Sequence, residues 1–208
     1  IDAIADTARK LGMGAPTGIG LPSEKGGIVP DDAWKRQTKK QPWQGGDTIN
    51  VAIGQGYVIA TPLQLAVMAA RLVNGGRAVT PTLIKHPGEV EPAPVIGFEP
   101  AHLAAIMEGM NAVVNQPFGT ALGSRIPDPD WMMGGKTGTA QVRRITIRGQ
   151  DQNTIPWNQR HHALFIGYAP AQDPRYVCSV VIEHGGGGAS AAAPVAKEIL
   201  MKVKELMA

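Results

Sequence analysis

Two apolar, strand-like runs, 163–169 and 176–183, stand on either side of a six-residue connection, Pro170 to Arg175, whose prolines and aspartate favour a turn. A third run, Lys136 to Ile145, is rich in Thr and Val, contains no proline and also reads as a strand. Together they predict an antiparallel meander. A helix follows at roughly 192–207, with Val195, Ile199, Val203 and Leu206 on one face. That stripe has to be buried, and the sheet is its natural partner. The expectation is an α+β fold, an antiparallel sheet flanked by helices, to which this chain contributes three strands and the C-terminal helix. Three strands are few, since about 4–6 is usual. Further strands are expected from sequence preceding Ile1.

Helical signals fill the first half. Ile1, Ile4, Ala5, Ala8 and Leu11 recur at helical spacing, and Gly12 is placed to end that helix. Residues 13–47 are rich in Gly, Pro, Asp and Lys and read as an extended surface loop, long for a compact domain. Thr61-Pro62-Leu63-Gln64 is a helix start: Thr61 caps, Pro62 takes the first helical position and Gln64 completes a capping box. Leu65, Met68, Ala69 and Leu72 then form an apolar stripe, closed by Gly75. Another helix carries Leu103, Ile106, Met107, Met110, Val113 and Val114, its methionines read as core filler.

The 208 residues fit one domain or part of one and can bury a core. The formal net charge is +3 without a dense Lys/Arg block, so no nucleic-acid partner is indicated. Cys178 is the single cysteine, which excludes an internal disulfide and a cysteine-based metal site. There is no apolar run of about 18 residues, so neither a membrane span nor a signal peptide is read here. The chain opens at Ile1 inside an apparent helix, not at a Met, and is expected to be a piece of a longer protein.

The chemistry-bearing stretch is Lys136-Thr137-Gly138-Thr139, within GGKTGTAQV. A phosphate-binding P-loop is excluded, because the glycine it needs five positions before Gly135 is Asp130, set between prolines and carboxylates. As a strand, the stretch places Thr137 and Thr139 on one side and Lys136 and Gly138 on the other. Gly138 lacks a Cβ, so a backbone or a ligand can come close. A lysine, two hydroxyls and a strand edge suit an anionic, peptide-like ligand that docks as an extra strand. Taken alone, four residues are equally served by a plain strand with a surface lysine.

Other candidates carry less. His161 and His162 precede a strand but have no acidic or cysteine partner at metal spacing, so a structural or solvent-facing role is expected and no metal. Glu183 and His184 end a strand and receive the same reading. Residues 146–161, with Arg148, Trp157 and Arg160, form a polar loop that is either solvated or a rim of the cleft. Gly54-Gln55-Gly56 reads as a tight turn, tied down by Asp47 and Asn50. No motif asks for a cofactor.

Four stretches, in order, resemble one known family. Ile4–Leu11 with Thr17-Gly18-Ile19-Gly20-Leu21-Pro22, then WQGGDTINVAIGQGYVIATP from Trp43 to Pro62, then GGKTGTAQV, and last 163–170 with the strand reaching Glu183-His184-Gly185-Gly186, are similar to the C-terminal half of class B penicillin-binding protein transpeptidase domains. The branch resembled serves elongation of rod-shaped cells. Lys-Thr-Gly is the third of three motifs in these proteins and in the serine β-lactamases. The first two are missing: Ser23, Ser124, Ser179 and Ser190 are not followed by lysine three residues on, and no Ser-x-Asn or Ser-x-Asp occurs.

The resemblance implies that residues 1–208 are the C-terminal part of one transpeptidase domain. The nucleophile, its activating lysine, the second motif and a membrane anchor would lie upstream, and this chain alone would be inactive. It implies acyl transfer through a serine ester, with peptidoglycan stem peptides as substrates and β-lactam antibiotics as inhibitors. Lys136 and Thr139 would be catalytic; Lys136, Thr137, Gly138 and Thr139 would bind substrate. The setting would be the inner membrane with the catalytic domain in the periplasm, beside a polytopic glycosyltransferase of the elongation machinery. The rivals are a β-lactamase or D,D-carboxypeptidase on the same fold, or a non-catalytic module that senses β-lactams or binds a partner.

Overall fold

A computed structural model describes residues 1–85, 88, 91–143 and 154–207 and resolves two compact units, Ile1–Phe98 and Glu99–Ala208. In the first, helix α1 (Asp2–Lys10) follows the expected spacing. It ends at Gly12, whose φ of +94° lies where glycine is favoured. Residues 13–47 are not one loop, as the sequence suggested. They contain helix α2 (Asp32–Lys39) and the start of α3 (Gly45–Ala52). Helix α2, DAWKRQTK, has no apolar stripe, so periodicity could not reveal it. Polar contacts hold it instead: Asp31 accepts from the Trp34 N–H at 2.7 Å, and Arg36 bonds Asp32 at 2.8 Å. Lys35 is buried, donates to Asp47 and lies over the Trp43 and Tyr57 rings.

That ion pair also corrects the expected role of Asp47. Its carboxylate takes Lys35 and the Gln44 N–H at the head of α3, and these hydrogen bonds, Lys35 first, hold its pKa below the usual range. The Gly54–Gly56 turn is closed by backbone, with the Asn50 carbonyl accepting from Gln55 at 2.9 Å. The Thr17–Pro22 passage is folded by Glu24, which accepts from the Thr17 N–H at 2.7 Å and its hydroxyl at 2.6 Å.

Helix α4 (Pro62–Val73) has the expected capping box, with Thr61 N–H to Gln64 Oε1 at 2.9 Å and Gln64 N–H to Thr61 Oγ1 at 3.1 Å. Of the expected stripe only Ala69 is fully buried; Gln64, Val67 and Val73 are the other buried positions. Gln64 is buried because its amide donates to the carbonyls of Ala15 at 2.8 Å and Gly26 at 2.7 Å.

The second unit opens with α5 (Pro100–Asn115), which buries Leu103, Met110 and Val114 and leaves Ile106 exposed. Strands β1 (Gly134–Ala140), β2 (His162–Ala169) and β3 (Tyr176–Ile182) form an antiparallel sheet in the order β1-β2-β3, the expected meander. Strand β1 starts at Gly134 and ends at Ala140, short of the expected Ile145. Residues 144 and 145 lie outside those described. Gly134 pairs with Tyr168 and Gly135 with Gly167. A Cβ on Gly134 would stand 2.4 Å from the Tyr168 ring, and one on Gly135 2.3 Å from the Phe165 ring. Aromatic side chains of β2 thus cover the bare start of β1.

Helix α6 (Ala193–Met207) follows a π-helical turn at Gly188–Ala192. Its buried residues are Ala193, Ala196 and Leu200, clustered with Phe165, Val180 and Met133. The expected face is not the buried one: Val195, Ile199 and Leu206 are exposed. Small alanines let the helix approach the sheet closely, and hydrophobicity alone ranks them below Val and Ile. Trp131 fixes the helix from the side through its indole N–H to the Leu200 carbonyl at 3.0 Å.

Candidate active site

Among the described residues β1 is an edge strand with β2 as its one neighbour. The cross-strand register alternates as expected. Lys136 and Gly138 pair with Ile166 and Leu164, while Thr137 and Thr139 pair with Phe165 and Ala163. The lysine stem nevertheless brings its amine to the threonine. Lys136 Nζ donates to the Thr137 carbonyl at 2.9 Å and lies 3.5 Å from Thr137 Oγ1. Lys136 and Thr139 are exposed; Thr137 and Gly138 are half-buried. A cation and two hydroxyls therefore share one short stretch of strand, an arrangement suited to an anion.

Gly138 does meet a backbone. A Cβ on Gly188 would stand 2.5 Å from the Leu164 carbonyl oxygen and 2.7 Å from that of Gly138. The turn leading into α6 therefore seats itself against the β1–β2 pair at the centre of the motif.

Sequence reasoning missed Thr120. Its Oγ1 lies 3.3 Å from Thr137 Oγ1. The loop after α5 holds it there. The Gly119 N–H donates to Gln116 at 2.8 Å and the Ala121 N–H to Val113 at 2.9 Å. A Cβ on Gly119 would stand 2.4 Å from the carbonyl oxygens of Ala112 and Val113. The Asn115 amide ties the end of α5 to the Met133 carbonyl at 3.0 Å, just before β1. No spacing rule links positions 17 apart, so only the fold could reveal the pair.

The histidines knit the far end of the strand. His161 is buried, and its Nδ1 accepts from the Val142 N–H at 3.1 Å, two residues past β1. His162 Nδ1 accepts from the His184 N–H at 2.9 Å, and His184 meets the Arg160 carbonyl through Nδ1 at 3.0 Å. Trp157 packs edge-on to His184. Burial, with smaller contributions from Arg143 and His162, holds the His161 pKa below 6.5. Of the 146–161 loop, Arg148 lies outside the described residues, while Trp157 is exposed. Burial pushes the Cys178 thiol up to about 11, which leaves it protonated and unreactive. A surface depression of about 470 Å³ is lined by Pro129, Trp131, Pro170 and Arg175 at the Gly134 end of the sheet, and Lys136–Thr139 take no part in it.

A three-stranded antiparallel sheet packed with helices, with a lysine and two threonines on its edge strand, is the arrangement this chain shares with a known family. The chain belongs to the penicillin binding protein transpeptidase domain family, which it matches over residues 1–201. It is 37% identical over 214 residues to the peptidoglycan D,D-transpeptidase MrdA of Haemophilus influenzae, covering 96% of this chain and 32% of the relative. Among solved structures it is similar to the Helicobacter pylori penicillin-binding protein PBP2 in complex with MreC. There the TM-score is 0.84 and the identity 32%, over 97% of this chain and 35% of that one. It is also similar to Pseudomonas aeruginosa PBP2 in complex with WCK 5153, with a TM-score of 0.80 and 36% identity, over 97% and 42% of the two chains. The chain thus spans about a third of the length of the curated relatives it matches. Among the described residues no helix is long and apolar enough to cross a membrane.

Proposed function

We propose that the protein carrying this chain is a peptidoglycan D,D-transpeptidase, and that residues 1–208 form the C-terminal part of its catalytic domain. The observation that carries the reading is the edge strand on which Lys136 Nζ and Thr137 Oγ1 lie 3.5 Å apart, in a chain of this family. The serine hydroxyl would come from upstream. It attacks the D-Ala-D-Ala amide carbonyl of a stem peptide, D-Ala leaves, and an amine of a neighbouring stem peptide takes the acyl group. β-Lactams enter the same path and stop at the acyl-enzyme.

Within that reaction the Thr137 and Thr139 hydroxyls bind the terminal carboxylate, and Lys136 supplies positive charge and assists proton transfer. The Thr137 carbonyl accepts from the lysine amine at 2.9 Å, as an outward-facing carbonyl of an edge strand can. By the alternation of two, the Thr139 N–H belongs to the same outward set. It is suited to the oxyanion hole, paired with the N–H of the upstream serine. The missing strands and the cover for the exposed α6 face come from the upstream half. An inner-membrane anchor with the catalytic domain in the periplasm, and a polytopic glycosyltransferase of the elongation machinery as partner, complete the proposal. Its support is the similarity to MrdA and to a PBP2 solved with MreC.

Fluorescent penicillin tests the reading. The full-length protein should be labelled, and Lys136→Ala should slow labelling about 100-fold or more. The melting curve should not change, because Lys136 is exposed. Rapid β-lactam turnover would replace the transpeptidase with a β-lactamase. Labelling of residues 1–208 alone would overturn the upstream nucleophile.

A further inference from the structure

The oxygen of Thr137 has two neighbours and its hydroxyl one proton. Lys136 Nζ stands at 3.5 Å and Thr120 Oγ1 at 3.3 Å. An ammonium only donates, so toward Lys136 the Thr137 oxygen accepts. The Thr120 hydroxyl can do either. If Thr120 accepts, the Thr137 proton is spent within the protein. If Thr120 donates, Thr137 accepts twice and its proton is directed elsewhere. Hydrogen bonds to ionised groups are about twice as strong as neutral ones. A bound carboxylate therefore favours the relay in which Thr120 donates to Thr137 and Thr137 donates to the ligand.

We propose that Thr120 is a positioning residue for the ligand carboxylate, aligning the Thr137 hydroxyl as a donor. This rests on the reading above that Thr137 binds that carboxylate. The loop is built for such a task. Gly119 is pressed against the Ala112 and Val113 carbonyls, and the Ala121 N–H is bonded to Val113, so Thr120 is carried on backbone fixed from both sides. Thr120 is exposed, so its replacement leaves the core untouched.

The test uses the full-length protein and two probes, an acyl-D-Ala-D-Ala peptide and its C-terminal amide, with acylation efficiency measured for each. Wild type should prefer the acid. Thr120→Val should lose about three- to tenfold on the acid, the worth of one neutral hydrogen bond, and little on the amide. Thr120→Ser should restore the acid rate. In a Thr137→Val background, Thr120→Val should add nothing, because the relay is already cut. Equal losses on acid and amide, or full additivity of the two valines, would overturn the role of Thr120 and leave the carboxylate site standing. A wild type that does not distinguish acid from amide would remove the carboxylate site, and this inference with it.

Discussion

Gly188 and Gly138 leave no room for a side chain between them: a Cβ on Gly188 would stand 2.7 Å from the Gly138 carbonyl oxygen and 3.1 Å from its nitrogen. The atoms in the way are backbone and cannot swing aside. We predict that Gly188→Ala costs about 1–3 kcal/mol, as overpacking does. It should also slow acylation of the full protein by displacing the Lys136–Thr139 strand. Denaturant melts and penicillin labelling read the two effects. A variant with wild-type values in both would mean the turn is not seated where it is described.

The histidine beyond the strand should give the protein a pH limb. His161 must be neutral at Nδ1 to accept from Val142, and burial favours that neutral form first. The folded pKa is therefore below the unfolded value of about 6.5. Between the two values the unfolded chain holds more protons, so stability rises with pH across that window. It should be level above about pH 6.5, fall as pH drops toward the folded value, and level off beneath it. His161→Asn keeps an acceptor that does not titrate and should lose this limb. Melting temperature against pH for both proteins checks it; identical profiles would exclude His161 as the source.

In the first unit the buried amide of Gln64 should be worth more than its size. It serves the carbonyls of Ala15 and Gly26 and the N–H of Thr61. Gln64→Leu fills a similar space but strands all three groups. Each of these hydrogen bonds is worth about 0.5–1.5 kcal/mol net, so a loss near 3 kcal/mol is expected. An unfolding midpoint that does not move would show that water replaces the amide.

The two faces of α6 separate what this chain buries from what the upstream half is proposed to cover. Leu200 is 1% exposed and Ile199 42%. Leu200→Ala should cost about 2–5 kcal/mol. In the full-length protein, Ile199→Ala should approach that figure, because the upstream half is expected to bury it. A surface-like cost, within about 0.5 kcal/mol, would mean the face is open to solvent there.

The meander was legible because strands with one buried face announce themselves by residue type and by the turns between them. The capping box at Thr61 was legible because its partners are three residues apart. Helix α2 was not, since an ion pair from Lys35 to Asp47 holds it and no apolar period marks it. The α6 face was misassigned because close approach to a sheet selects alanine, which a hydrophobic stripe undervalues. At the site, the Lys136–Thr139 stretch stood out by type and order. Thr120 did not, because its place beside Thr137 is set by a loop folded back from α5.

The bare start of β1 has a bearing on how such a site can change over time. With Gly134 and Gly135 covered by the Tyr168 and Phe165 rings, the strand borrows its stiffness from its neighbour. Almost any new side chain there collides with an aromatic ring before it reaches a ligand. Natural variation that retunes ligand preference is then confined to positions with room to vary. Phe118, at 80% exposure in the loop that also carries Thr120, is one of them. Sequence changes that retune ligand preference should gather on that loop while the glycines stay fixed.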